Sequence, residues 1–393
     1  MVHTPLQMHT NQSKIKNDPC RVVVTEAAAV TALGNNLEDL WCKLIQKESA
    51  IRSITRFPVD QEHYRANIAA IIDDLNASPK RSLIKDLLDR LVAQLGPVPA
   101  DATLITATLK SGIDNLESEC RGLPTGLQDI LLAFLADHLG ASLGLKDNGI
   151  CISASCASST IAVAHGAALI ESGRAGTVLV CCADIVSEYA FSGFSSLRAL
   201  SPFPCQPFDR DRQGLSLGEG AAALLLMSAE RATYERRTRL GTICGWGVTN
   251  DANHITAPAR GGVGLVQAIN KALTSAQKIP EEIAAVCAHG TGTIYNDRME
   301  LDAFQRVFHG RRLPVFSIKG AIGHTLGAAG GIETALSLKV LATNTAPPTV
   351  GFVNPEDGAQ GQVSAEKQTV TGDFLLNTNS GFGGINAAIV VGR

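Results

Sequence analysis

At 393 residues the chain is long for one hydrophobic core and comfortable for two structural units. Its 45% hydrophobic and 18% charged residues, 37 glycines and 5% aromatics match a tightly packed α/β enzyme, and a net charge of −3 gives no ground for a nucleic-acid or anionic-membrane partner. Ten scattered cysteines, with no C-x-x-C pair and no regular Cys/His spacing, argue against a disulfide scaffold or a zinc site and fit small thiols in a reducing compartment.

Residues 1–20 read as a polar arm without the apolar core of a signal peptide. No apolar run approaches the length of a membrane span, so a soluble, cytoplasmic protein is expected. Segment 21–25 is a β-branched run that predicts a strand, and 37–46 a helix with Asn35 and Asn36 as capping amides. A strand at 100–107 and a helix at 127–143 follow. The stretch 157–170 reads as a helix of small and aliphatic residues stopped by Ser172 and Gly173, and 177–182 as a fully buried strand. Such continuous apolar strands, alternating with helices, predict a mainly parallel sheet covered on both faces. A comparable series begins after the charged stretch 230–239, with strands at 240–248, 284–289, 314–318, 375–379 and 387–391 and helices at 264–276 and 328–342. Two analogous α/β halves are therefore expected, 21–240 and 241–393.

Four segments carry chemistry. Segment 149–160 reads Gly-Ile-Cys-Ile-Ser-Ala-Ser-Cys-Ala-Ser-Ser-Thr and sets Cys156 at a strand-to-helix turn. The helix amides and the positive end of the dipole beneath its sulfur favour thiolate over thiol, as a nucleophile requires. Segment 288–293, Ala-His-Gly-Thr-Gly-Thr, is followed by Asn296, Asp297 and Glu300. Segment 317–324, Ser-Ile-Lys-Gly-Ala-Ile-Gly-His, runs into a small-residue helix, and segment 379–386, Asn-Ser-Gly-Phe-Gly-Gly-Ile-Asn, is a glycine-dense loop between apolar strands.

In this order, and with Gln-Pro-Phe-Asp-Arg-Asp-Arg-Gln-Gly at 206–214, these segments resemble the β-ketoacyl-acyl carrier protein synthases, condensing enzymes of the thiolase superfamily. The resemblance implies a thiolase-like α/β fold, two similar halves in an α-β-α-β-α stack. It also implies a decarboxylative Claisen condensation of an acyl-enzyme thioester with malonyl-carrier protein. Cys156 then corresponds to the acylated nucleophile in the N-terminal half, and His289 and His324, in the C-terminal half, to the two active-site histidines. Lys319 corresponds to a lysine paired with Glu300, and Thr291 and Thr293 to the threonines lining the malonyl and pantetheine site. Phe382 corresponds to a gating phenylalanine whose amide joins that of Cys156 in an oxyanion hole. No metal or resident cofactor is implied, since the substrates ride on the phosphopantetheine of an acyl carrier protein. The partners implied are that carrier protein and a second subunit, in a homodimer or in a heterodimer with a related ketosynthase-like chain. Glu333 reads as a structural carboxylate within the helix bundle, and His254 as a residue of a loop near the pocket.

A degradative thiolase would need a second cysteine near the C-terminal glycine loop, whereas the last cysteine here is Cys287. A catalytically silent chain-length-controlling subunit would lack the nucleophile. Acyl chain length and pathway, fatty acid or specialised polyketide or polyene, are left open by the motifs.

Overall fold

Ten strands form one sheet whose order repeats itself. The computed structural model describes residues 22–60, 62–75, 81–146 and 149–393, so the expected arm at 1–20 lies outside the described residues. In chain order the strands are β1 (Val22–Thr31), β2 (Thr103–Ala107), β3 (Ile150–Ile152), β4 (Thr177–Asp184), β5 (Gly220–Ser228), β6 (Gly241–Asn250), β7 (Ile283–Cys287), β8 (Val315–Phe316), β9 (Phe374–Gly381) and β10 (Ile385–Gly392). Outward from the central contact of β1 with β6, one side runs β1-β5-β4-β2-β3 and the other β6-β10-β9-β7-β8. On each side the first two neighbour pairs are antiparallel and the next two parallel.

The sheet is thus mixed, not mainly parallel: with the central pair, five neighbour pairs are antiparallel and four parallel. The unbroken apolar runs that suggested a parallel sheet report burial on both faces, and β4 and β5 have that burial while running antiparallel.

Among the described residues, the α-helices of nine or more residues are α1 (Leu37–Ile45), α2 (Leu83–Val92), α3 (Phe134–Leu143), α4 (Ser158–Glu171), α5 (Glu188–Ser196), α6 (Val263–Ala276), α7 (Ile294–Val307) and α8 (Ala329–Thr343). α4 and α8 cross one another and touch strands of both half-sheets, α2 and α3 cover the β1 to β3 side, and α6, with α7 upon it, covers the other. This is the α-β-α-β-α stack of a thiolase-like fold. The buried apolar side chains follow it, with one core around α4 and α8, one beneath α6 and α7, and one beneath α2 and α3. Among the described residues no helix is long and apolar enough to cross a membrane.

The single helix expected at 127–143 is broken into a short turn, Leu127–Ile130, and α3. The Asp129 carbonyl accepts from the Gly112 N–H at 2.8 Å and the Ser111 hydroxyl at 2.7 Å, and its carboxylate accepts from the Ser82 N–H at 3.2 Å. Tertiary bonds thus take the acceptor that a continuous helix would need. α1 forms as its capping residues predict, with Asn36 accepting from the Asp39 N–H at 2.8 Å.

Candidate active site

Cys156 sits at an elbow between β3 and α4. Ser155 adopts φ 50°, an unfavourable conformation for a serine. The Ser158 hydroxyl holds it there, accepting from the Ala154 N–H at 2.8 Å and donating to the Ser155 carbonyl at 2.6 Å. α4, which starts two residues after Cys156, begins without a side-chain cap. Cys156 is only 6% exposed, and burial pushes its thiol up to about 12, against the pull of the Lys319 charge. Burial at this position therefore favours the thiol over the thiolate expected from the turn.

β7 delivers His289 and β8 leads to His324, so the two motifs arise at the ends of neighbouring parallel strands. The sulfur and one nitrogen of each ring lie within 4.8 Å of one another, and the rings meet edge to face with centroids 5.1 Å apart. A cavity of about 320 Å³ opens on them, walled in part by Thr291, Thr293 and Phe382. The Thr291 and Thr293 hydroxyls are hydrogen-bonded to each other at 2.9 Å.

Both histidines lie well below their ordinary pKa, first because they are buried and then because of Lys319. They are neutral, and their neighbours set the tautomer. Nδ1 of His324 accepts from the Leu326 N–H at 3.2 Å. Nδ1 of His289 stands 3.1 Å from the Asn379 amide nitrogen. That amide is oriented by the Thr160 hydroxyl, which donates to its oxygen, and by Glu333, which accepts from its nitrogen at 2.7 Å. With Nδ1 an acceptor in both rings, the proton stands on Nε2 in both. A metal-ligating histidine has the opposite wiring, donating through its second nitrogen. The Cys-His-His cluster therefore offers a ligand two N–H donors, not two lone pairs.

The pairing expected for Lys319 is also corrected. Its ammonium forms a buried ion pair with Glu333 of α8, not with Glu300, and donates to the His289 carbonyl at 2.5 Å. Glu300, on α7, accepts the His289 N–H at 2.8 Å and the Gly290 N–H at 2.7 Å, and burial pushes it up to about 8. His289 is therefore held from both sides, by Lys319 on its carbonyl and Glu300 on its N–H. Glu333, a structural carboxylate by sequence, thus also belongs to this chain of contacts, and Asn379, to which the sequence assigns no role, is the group that faces His289. The Asn-Ser-Gly-Phe spacing, which puts Asn379 at the end of β9 just ahead of the loop, is the signal that could have found it.

Phe382 is half-buried and stacks on Phe194 of α5 with centroids 5.8 Å apart. Its carbonyl accepts from the Ser155 hydroxyl at 2.7 Å, tying the glycine loop to the turn that carries Cys156. Phe194 and Phe382 stand between the cavity and a second, open groove that Leu109, Lys110 and Tyr189 help to wall. His254 is exposed and accepts from the Thr256 and Ala257 N–H groups, shaping the loop whose residues 256–258 reach the cavity.

Two family models match this chain: the beta-ketoacyl synthase N-terminal domain over residues 107–232 and the C-terminal domain over 240–353. The 3-oxoacyl-[acyl-carrier-protein] synthase 2 of Synechocystis sp. is 30% identical, the alignment covering 94% of this chain and 97% of the relative. The enzyme of the same name from Coxiella burnetii is 28% identical, covering 95% and 98%. Among solved structures, the ishigamide ketosynthase/chain length factor superposes with a TM-score of 0.85 at 26% identity, over 95% of this chain and 99% of that one. Sequence, fold and the Cys-His-His cluster agree: the chain belongs to the β-ketoacyl synthase family of condensing acyltransferases.

Proposed function

We propose that this chain condenses an acyl group held on Cys156 with malonyl-acyl carrier protein, releasing carbon dioxide. The observation that carries the reading is one buried thiol within 4.8 Å of two neutral imidazoles whose Nε2 atoms bear the proton. In the first step Cys156 sulfur attacks the carrier thioester, and the thiol proton ends on the departing carrier thiol. The Cys156 and Phe382 amides would hold the tetrahedral oxyanion. In the second, malonyl thioester loses carbon dioxide, and His289 and His324 donate to the enolate oxygen as its charge develops. The enolate carbon attacks the acyl carbonyl and expels Cys156 as a thiolate, which takes a proton from water. Lys319, paired with Glu333, fixes the His289 backbone and the local field, while Glu300 orients the same turn. Thr291 and Thr293 offer hydroxyls to the malonyl or pantetheine group, and Phe382 serves as the gate. No metal or resident cofactor enters this scheme.

The partner would be an acyl carrier protein, with a second subunit as either another copy or a ketosynthase-like chain. The heterodimer has support in two related structures whose names pair a ketosynthase with a chain length factor. The halves 21–240 and 241–393 would carry the nucleophile and the histidines respectively, a division supported by the repeated strand order. A reducing cytoplasm would suit the scattered cysteines, of which the described ones other than Cys244 are free thiols.

Mass spectrometry of enzyme incubated with acyl-carrier protein tests the reading. An adduct on Cys156 that disappears in Cys156→Ala is expected; an adduct elsewhere, or one that persists, overturns it. His289→Ala and His324→Ala should each keep some acyl transfer and lose malonyl decarboxylation.

A further inference from the structure

One buried carboxyl group that touches the turn after His324 has no part in the scheme above. Asp184 ends β4, is fully buried, and is pushed up to about 6 by that burial. Its oxygens accept from the Thr108 hydroxyl at 2.8 Å, the Leu109 N–H at 3.0 Å, the Lys110 N–H at 3.2 Å and the Gly327 N–H at 2.7 Å. Two turns distant in sequence therefore meet on one side chain. Leu109 and Lys110 help wall the groove beyond Phe382, and Gly327 closes the turn that begins at His324.

The second turn is strained. Leu326 has φ 53°, a conformation that costs a branched side chain on the order of 1–3 kcal/mol and persists only where its surroundings enforce it. The Leu326 N–H is the group that donates to Nδ1 of His324, and the next N–H along, that of Gly327, is the one Asp184 holds. Gly327 itself has no room to move toward the carboxylate: a Cβ there would lie 2.7 Å from Asp184 Oδ2.

We propose that Asp184 is a positioning residue of His324, beside the Ser216 carbonyl and Gly218 N–H that hold its backbone. It pins the 324–327 turn so that Leu326 keeps donating to Nδ1 and the proton stays on Nε2, and it ties that turn to the 108–110 wall of the outer groove. The arrangement parallels His289, whose turn is held by Glu300 through two N–H groups. It also echoes the repeated sheet, since Asp184 ends β4 and Asn379, which faces Nδ1 of His289, lies near the end of the equivalent β9.

The inference rests on the condensation reading, and its test is built to separate the two. Asp184→Asn keeps the shape but replaces one acceptor oxygen with an N–H donor facing backbone donors. It is expected to lower kcat for malonyl-carrier-protein decarboxylation at least tenfold, with KM and the rate of Cys156 acylation each within about threefold of wild type. In ¹⁵N-histidine-labelled protein, the His324 resonances, assigned by their absence in His324→Gln, should change from a single Nε2–H tautomer to a mixture. Gly327→Ala, which strikes the same contact from the other side, should give the same split and carries the test if Asp184→Asn does not fold. Unchanged decarboxylation and an unchanged His324 spectrum overturn the proposal, as does an equal loss of both steps with that spectrum intact. Wild-type acylation of Cys156 is measured alongside; its absence would count against the condensation reading, while the spectrum still decides the role of Asp184.

Discussion

Gly330 passes so close to Thr160 that a Cβ on it would stand 1.9 Å from the Thr160 hydroxyl, and 2.7 Å from Asn379 Oδ1. The crossing of α8 over α4 thus leaves room for the Thr160–Asn379 hydrogen bond and for nothing more. Since Asn379 sets the tautomer of His289, a methyl group at Gly330 acts on the chemistry through two side chains.

Gly330→Ala should therefore lower stability by about 1–3 kcal/mol, the usual cost of overpacking. It should reduce malonyl decarboxylation at least tenfold in the protein that remains folded. Urea unfolding and a carbon dioxide release assay on the same sample check it. Wild-type decarboxylation in a destabilised protein would show that the crossing matters only to packing.

Asn379→Ala separates the tautomer from the fold. It removes the donor facing Nδ1 of His289 and leaves a Glu333 oxygen without that partner, while Cys156 and His324 keep their contacts. Acyl transfer to Cys156 is expected to survive within a few-fold, and decarboxylation to fall on the order of a hundredfold, as when one oxyanion donor is removed. Single-turnover acylation and malonyl decarboxylation, measured separately, give the two numbers; a parallel loss of both would refute the assignment.

These contacts explain what the chain made legible and what it did not. Cys156, His289, His324 and Phe382 lie in short contiguous segments whose residue types announce their chemistry, and local capping such as Asn36 is legible for the same reason. Lys319 was the harder case. Glu300 follows His289 on the adjoining helix and Glu333 follows Lys319 on another, and only the folding of α8 across α4 shows which carboxylate meets the ammonium. Thr160 and Asn379 are 219 positions apart, and no local pattern joins them. Strand direction was hidden because a strand buried on both faces reads alike in either direction, and the helix at 127–143 failed because distant groups claimed the Asp129 carbonyl.

The corrected ion pair makes its own prediction. Lys319 and Glu333 are each 1% exposed, so removing one partner strands the other as a buried charge, typically a loss of about 3–5 kcal/mol. Glu333→Gln should destabilise strongly, and Lys319→Met combined with Glu333→Leu should recover part of that loss. Urea unfolding of wild type, Glu333→Gln, the single variants Lys319→Met and Glu333→Leu, and the double variant checks it. Additive losses in the double variant would show that the two groups do not act as a pair.

The nucleophile should titrate late. With its thiol pushed up to about 12 by burial, Cys156 carries little thiolate near neutrality. Iodoacetamide alkylation of the resting enzyme, followed at Cys156 by peptide mass, should rise about tenfold per pH unit from 7 to 10 without a plateau. Lys319→Gln removes the charge that opposes the shift, and should slow alkylation at every pH in that range. A plateau below pH 8 would restore the thiolate that the helix end alone suggested.

Glu300 gives the fold a pH dependence of its own. Its folded pKa of about 8 lies above the ordinary glutamate value, because burial disfavours the charged form. Such a group contributes its full stability below its unfolded pKa and loses that contribution as pH rises through the folded one. The histidines act in the opposite sense: they are held neutral in the fold and charge more readily when unfolded, so they lower stability below about 6.5. Between pH 7 and 9 the glutamate is therefore the group to watch. The free energy of unfolding should fall across that window in the wild type, and the fall should flatten in Glu300→Gln, which stays neutral throughout. An identical slope in wild type and Glu300→Gln would mean that the carboxyl group on the His289 turn is already ionised at neutral pH, with its two backbone donors outweighing its burial.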